Sequence, residues 1–329
     1  MVREGYWATM PNVVTLADVR AAAKRIQPLV VRTPLERSVA LSALGGGEVW
    51  LKLECFQTTG SFKLRGALNA VLTMSDHQRQ KGVVTASAGN HGLGVARAAM
   101  LLGLAATVVV PETASEAKIG ALRESGAELL LCGETYDAAE AAAIRLATER
   151  ELPFISAYND PAVVAGGGTI ALEVLDDLPS VRNLVVPAGG GGLIGGIGVA
   201  AHGLDPQIAI IGAQSVASPA LHMALKVGAL MPVEVRSSLA DGLSGNVQSG
   251  SITFDLLRRH VRQIVLLEES DIANAMRWLL RHEHVLVEGS AAVGVAAALC
   301  QLLPLHGPTV IVLTGRNVAA NVLQQYVLA

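Results

Sequence analysis

The chain has 329 residues, 51% of them apolar, 16% charged and 3% aromatic, with a net charge of −3. That length corresponds to about two domains with room for a sizeable core, and the composition excludes a disordered chain. A weakly acidic, aromatic-poor surface also excludes phosphate neutralisation or base stacking, so no nucleic-acid partner is expected.

Taken in chain order, residues 1–14 lack the apolar core of a secretory leader, and a cytoplasmic protein is expected. Short apolar runs at 49–53, 83–86, 107–110, 129–131, 184–186, 208–211, 264–266 and 310–313 read as strands, several buried on both faces. Helical patterns lie between them at 62–74, 91–102, 137–149 and 271–280. The alternation predicts an α/β fold with mostly parallel sheets covered by helices on both faces, and ligands at the carboxyl ends of the strands. The most apolar stretch, 93–110, reads as a helix running into a buried strand rather than a membrane span. Cys55, Cys132 and Cys300 are far apart and form no CxxC pair, so neither a zinc ribbon nor a disulfide framework is indicated.

Three strand-to-helix junctions carry chemistry. In the first, Gly189, Gly190, Gly191 and Gly192 precede Leu193 and an apolar helix. Glycines let several backbone amides converge at a helix N-terminus, which favours an anion such as phosphate. No GK[ST] follows, so it is not a Walker A loop. Gly190, Gly192 and Gly195 match GxGxxG, but the acid expected about 20 residues on in a dinucleotide site is missing, which counts against a nicotinamide oxidoreductase.

The second junction, Thr58 to Ala67, places Ser61 as an N-cap and Lys63 in the first helical turn. Partial positive charge there lowers a lysine pKa, and a neutral amine is what Schiff-base chemistry needs. The competing reading is an ordinary exposed helix lysine. The third junction, Ser87, Ala88, Gly89, Asn90, His91 and Gly92, exposes amides suited to a carboxylate, or is a plain capped turn. His282-Glu283-His284 suggests a metal pair, but residues two apart on a helix do not share a face, and histidines near a helix C-terminus answer to the dipole.

The ordered set Ser61-Phe62-Lys63, Ser87-Ala88-Gly89-Asn90-His91, the four glycines and Thr314-Gly315-Arg316-Asn317 resembles the fold-type II pyridoxal-phosphate enzymes. Within them the match is to the threonine/serine dehydratase and serine racemase group, over most of the chain. The resemblance implies two open twisted sheets as in the tryptophan synthase β fold. It implies a large cofactor-binding domain at 1–76 and 152–329, a small domain at 77–151, and no regulatory domain after Ala329. It implies pyridoxal 5'-phosphate on Lys63 as a Schiff base, with Phe62 against it, and the phosphate on Gly189–Gly192 and Leu193. Asn90 would bond the ring hydroxyl, Thr314 would face the ring nitrogen, and Glu288 would lie near the ring. The substrate carboxylate would sit on Ser87, Ala88, Gly89, Asn90 and His91.

The activity implied is β-elimination from a hydroxy amino acid of the L-threonine or L-serine kind, to a 2-oxo acid and ammonia. Racemases of the group carry a serine where Ala88 stands, so dehydration is expected over racemisation. Leu93 and Gly167 stand where glutamines are usual, Arg316 where a small residue is common, and 243–248 differs from ordinary threonine dehydratases. Those departures point to a specialised substrate, such as a 3-hydroxyaspartate or a hydroxyectoine-derived amino acid. Relatives bind a divalent cation with the Asp of Ala-Asp-Gly and an acid just before it. Here Asp241 is present and Ser237 holds the other position, so a weak or absent site follows. A homodimer or tetramer is the expected assembly, with no membrane contact.

Overall fold

Runs apolar on both faces become central strands, and the Ala- and Gly-rich segments between them become the helices that cover them. The computed structural model describes residues 14–45, 47–303 and 306–328. The readings of residues 1–13 as no leader and of the chain end at Ala329 lie outside the described residues. In chain order the elements are α1 (Leu16–Ile26), β1 (Leu35–Ser38), α2 (Val39–Gly45), β2 (Val49–Lys52), α3 (Lys63–Thr73), α4 (Asp76–Lys81), β3 (Val83–Ala86), α5 (Asn90–Leu101), β4 (Ala106–Val110), α6 (Glu116–Glu124), β5 (Glu128–Leu131) and α7 (Tyr136–Arg150). They continue with α8 (Pro161–Asp177), β6 (Asn183–Pro187), α9 (Gly192–Leu204), β7 (Ala209–Ser215), α10 (Ala220–Val227), α11 (Ile252–His260), β8 (Val261–Leu267), α12 (Glu269–Trp278), α13 (Gly289–Leu299), β9 (Thr309–Val312) and α14 (Ala320–Tyr326).

Two sheets result. The larger has the order β1-β2-β9-β6-β7-β8, and the smaller β3-β4-β5. All neighbours are parallel except β1 and β2. Val84 of β3 also exchanges backbone hydrogen bonds with Pro153 and Ile155, which brings the segment after α7 back along the small sheet. Each expected strand is found, and 93–110 is α5 followed by β4. No helix among the described residues is long and apolar enough to cross a membrane. Strand β1 was not expected: its sequence, LERS, is short and charged, and it is recruited only by pairing with β2.

The helices α3, α8 and α9 pack almost backbone to backbone. A Cβ at Gly196 of α9 would lie 2.9 Å from the Gly168 amide nitrogen of α8 and would strike the Val164 carbonyl. Beside this contact lies a buried ionic network. Arg65 of α3 donates through Nε and Nη2 to both oxygens of Glu54, each at 2.8 Å, and through Nη1 to Glu173 of α8 at 2.7 Å. Lys52 of β2 closes it on the other Glu173 oxygen at 2.6 Å. Arg65 and Glu54 have side chains 1% and 0% exposed.

Two local expectations are corrected. Ser61 is not the N-cap of α3: Phe62 holds that place without a side-chain cap bond, and Ser61 pairs by its backbone with Gly315. His282 lies not in a regular helix but in a π-helical turn, Leu279–Glu283, where it stacks on Trp278 with ring centroids 4.8 Å apart.

Removing one member of a buried ion network leaves its partners uncompensated. Arg65→Met is expected to cost about 3–5 kcal/mol, read as a lower denaturant midpoint. An unchanged midpoint would show that the network does not hold α3.

Candidate active site

Lys63 is the first residue of α3, and its side chain is drawn inward rather than into solvent. Its Nζ donates to the Ala157 carbonyl at 2.9 Å and lies 5.3 Å from the centroid of the Phe62 ring. Burial pushes its pKa down to about 8, while the nearby Glu288 carboxyl acts to raise it. The main cause is desolvation, not the helix terminus invoked from the sequence alone.

The chain closes around this amine from three directions. The Phe62 amide donates to the Thr314 carbonyl at 3.0 Å, and Ser61 pairs with Gly315, so the segment after β9 lies alongside the start of α3. Thr314 is buried. The Glu288 amide donates to the Gly315 carbonyl at 3.1 Å. Asn90, at the start of α5, donates from Nδ2 to Glu288 Oε1 at 2.7 Å and accepts from Asn317 Nδ2 at 2.7 Å. Burial raises the Glu288 pKa to about 7, against the Asn90 hydrogen bond, so this carboxyl changes charge near neutrality beside the lysine. A Cβ at Gly315 would lie 2.7 Å from Glu288 Oε1, so only glycine lets these side chains approach.

Helix α5 begins without a side-chain cap, which leaves its first amides free of intrahelical acceptors. Gly89 donates its amide to Ser87 Oγ at 3.1 Å, and a Cβ there would meet nothing within 4 Å, so the turn borders open space. His91 donates Nε2–H to the Ile155 carbonyl at 3.1 Å, while its buried Nδ1 has no partner. Burial, helped by Lys63, pushes its pKa down to about 3. The imidazole is therefore neutral, and an anion here is left to the backbone amides. Ala88 and Leu93 pack against Val108, Val110, Ile119 and Leu122, an apolar cluster that accounts for leucine at 93.

The glycine loop joins β6 to α9. Gly191 has φ +90°, and its carbonyl accepts the first helical bond from Gly195 at 2.9 Å. The amides of 192–194 ahead of it have no helical acceptor. A Cβ at Gly190 would sit 2.5 Å from Tyr158 Cδ1, and one at Gly192 3.0 Å from Tyr158 Cα. Tyr158 thus forms the wall behind the loop, and the residue before it, Ala157, holds Lys63. Its place was not legible from the loop itself, since the contact joins residues far apart in the chain.

These features fit pyridoxal phosphate. A buried amine is brought near neutrality, a helix N-terminus offers unpaired amides, Ser61 Oγ and His91 Nδ1 are buried without partners, and glycines keep space open. Lys63 touches the Phe62 ring and the Ala157 carbonyl. Thr314 is linked to it through the Phe62 amide. Glu288 acts on it through its charge, with Asn90 bonded to Glu288, and the glycine loop is reached through Ala157 and Tyr158. Asp241 forms an ion pair with Lys118, and Ser237 is exposed. Among the described residues no group of three or more His, Cys, Asp or Glu gathers as for a metal.

The chain belongs to the family of pyridoxal-phosphate dependent enzymes, which it matches over residues 26–315. It is 41% identical over 314 residues to an L-threonine ammonia-lyase of Thermotoga maritima, a match covering 95% of this chain and 78% of that one. It is 44% identical to an L-threonine ammonia-lyase of Geobacter sulfurreducens over 91% of this chain and 75% of that one. Its fold is similar to maize serine racemase, with a TM-score of 0.90 and 32% identity over 95% of this chain and 96% of that one.

Only the neutral amine condenses with an aldehyde. Uptake of pyridoxal phosphate by cofactor-free protein should therefore speed up about tenfold per pH unit below the lysine pKa and level off above about 8. Glu288→Gln removes the carboxylate that raises this pKa and should move the profile to lower pH. Stopped-flow absorbance measures both, and a profile unmoved by Glu288→Gln would contradict the coupling.

Proposed function

We propose that the chain is a pyridoxal-phosphate dependent ammonia-lyase that converts a β-hydroxy amino acid of the L-threonine or L-serine kind to a 2-oxo acid and ammonia. The carrying observation is the desolvated Lys63 amine, its pKa lowered to about 8, in a chain so similar to two L-threonine ammonia-lyases. The proposal includes a cofactor-binding body of 1–76 and 152–329, a smaller one of 77–151, and a cytoplasmic homo-oligomer, as in the group the sequence resembles.

When bound, pyridoxal phosphate supplies the electron sink that acidifies the substrate Cα–H. In this reading Lys63 carries it, Phe62 lies against it, and Asn90, Thr314 and Glu288 surround its ring. The amides of Gly189–Gly192 and Leu193 at the α9 terminus take its phosphate. Residues of the Ser87–His91 turn would hold the substrate carboxylate, since His91 stays neutral and brings no cation. They would do so through amides other than those of Ser87 and Gly89, which donate to the Val109 carbonyl and Ser87 Oγ. With substrate bound, the free Lys63 amine would take the Cα proton as general base, its lowered pKa suited to that work. The β-hydroxyl would leave as water with the proton that Lys63 took from Cα, and one water would be consumed when ammonia is freed. Ala88 has no proton to give on the face opposite Lys63, so the proton is not returned there and elimination prevails over racemisation.

The segment 243–248 favours a second reading within the same chemistry, a dehydratase for another hydroxy amino acid such as 3-hydroxyaspartate or a hydroxyectoine-derived one. Ammonia release from L-threonine by protein supplied with the cofactor tests the first reading. Lys63→Ala should lower it by about 10²–10⁴-fold or more. No release from L-threonine by protein that holds the cofactor would overturn the threonine assignment in favour of the second reading. Ala88→Ser should add detectable inversion of L-serine by chiral chromatography, and a variant that only eliminates would contradict the role given to Ala88.

A further inference from the structure

Helix α7 flanks the small sheet, yet one of its side chains reaches toward the wall behind the glycine loop. Glu140 is 6% exposed. Its Oε1 accepts from the Tyr136 hydroxyl at 3.1 Å and its Oε2 from Gln248 Nε2 at 2.7 Å. Burial raises its pKa, and the hydrogen bonds from Gln248 and Tyr136 oppose that rise. A carboxyl buried with no cation beside it among the described residues is costly to keep, and here both its oxygens are used to hold other groups.

Gln248 is committed at every polar group, its backbone carbonyl accepting from the Ser251 amide at 3.1 Å. Its side-chain amide donates to Glu140, its Oε1 accepts from Asn159 Nδ2 at 3.1 Å, and its backbone amide donates to the Tyr158 hydroxyl at 3.2 Å. Asn159 in turn accepts from the Ile252 amide at 3.1 Å. Gly190 closes against the Tyr158 ring and Gly192 against its backbone. The segment that carries Gln248 also touches the loop directly. Leu243 Cα lies 3.1 Å from where a Cβ of Gly189 would be, and Thr253 Cβ 2.9 Å from that of Gly191. At its start, Asp241 is tied to Lys118 of α6. Residues 241–253 thus brace the glycine loop while being held by helices of the small sheet.

We propose that Glu140 and Gln248 are positioning residues for the phosphate cradle: Glu140 orients Gln248, which fixes Tyr158 and Asn159 behind the glycine loop. The inference rests on the cofactor reading above. Without Glu140 the Gln248 side chain loses its anchor, and the wall that shapes the loop amides loosens. Glutamine at 140 keeps the arrangement, because its carbonyl still accepts from Gln248 and its amide can donate to the Tyr136 oxygen.

The test follows loss of cofactor absorbance from diluted holoenzyme in the presence of a carbonyl trap. Glu140→Ala and Gln248→Ala should lose cofactor about tenfold faster than the parent, and Glu140→Gln should stay within about twofold of it. If Glu140→Ala does not fold, Gln248→Ala, in a half-buried loop, carries the comparison. Alanine variants that hold cofactor as long as the parent overturn the proposal. So does a Glu140→Gln protein that leaks as fast as Glu140→Ala. A parent that binds no cofactor overturns the earlier reading and this one together, whereas unequal or equal leakage among loaded proteins bears on the positioning role alone.

Discussion

The guanidinium of Arg65, enclosed by the Glu54 and Glu173 carboxylates, is the constraint on which the site depends. It lies two residues past Lys63 on the same helix, so whatever fixes its position fixes the entry of α3. Charges taken wholly out of water tolerate little displacement, because any slack leaves one unpaired. Glu54 follows β2 and Glu173 stands on α8, so the network ties the helix to the large sheet and to the glycine-packed α8–α9 pair.

From that anchor the electrostatics of the site follow. The same close packing that excludes water from α3 desolvates Lys63 and brings its amine toward neutrality. Glu288 is desolvated too, but its pKa moves the other way, to about 7. The lysine and the acid are therefore drawn together in pKa, and the Glu288 charge acts on Lys63. The glycine loop works by different means. It presents amides rather than charges; Tyr158 leaves no room for a Cβ at Gly190, and Gly191 is held at positive φ against Thr253.

Much of this was legible in the sequence because it is local. Four glycines between a strand and a helix, and a lysine just after a turn, announce themselves by spacing. The apolar runs gave the strands, since a strand covered on both faces has no room for polar residues. What escaped was non-local. Strand β1 carries no pattern of its own. Ser61 looks like a cap, but its backbone is claimed by Gly315 from the far end of the chain. The lowered pKa of Lys63 was expected, yet its cause is burial, which depends on neighbours that spacing cannot reveal. Tyr158, Gln248 and Glu140 meet only after folding, although the unusual segment 243–248 did mark one of them.

The central claim is that Lys63 is the residue that holds pyridoxal phosphate. Borohydride reduction of the holoenzyme would turn the labile carbon–nitrogen double bond into a stable single bond, and peptide mass mapping would locate it. The account predicts the added pyridoxyl group on the peptide containing Lys63 and on no other lysine. A label on another lysine such as Lys118, or no covalent label on protein that holds the cofactor, would contradict it.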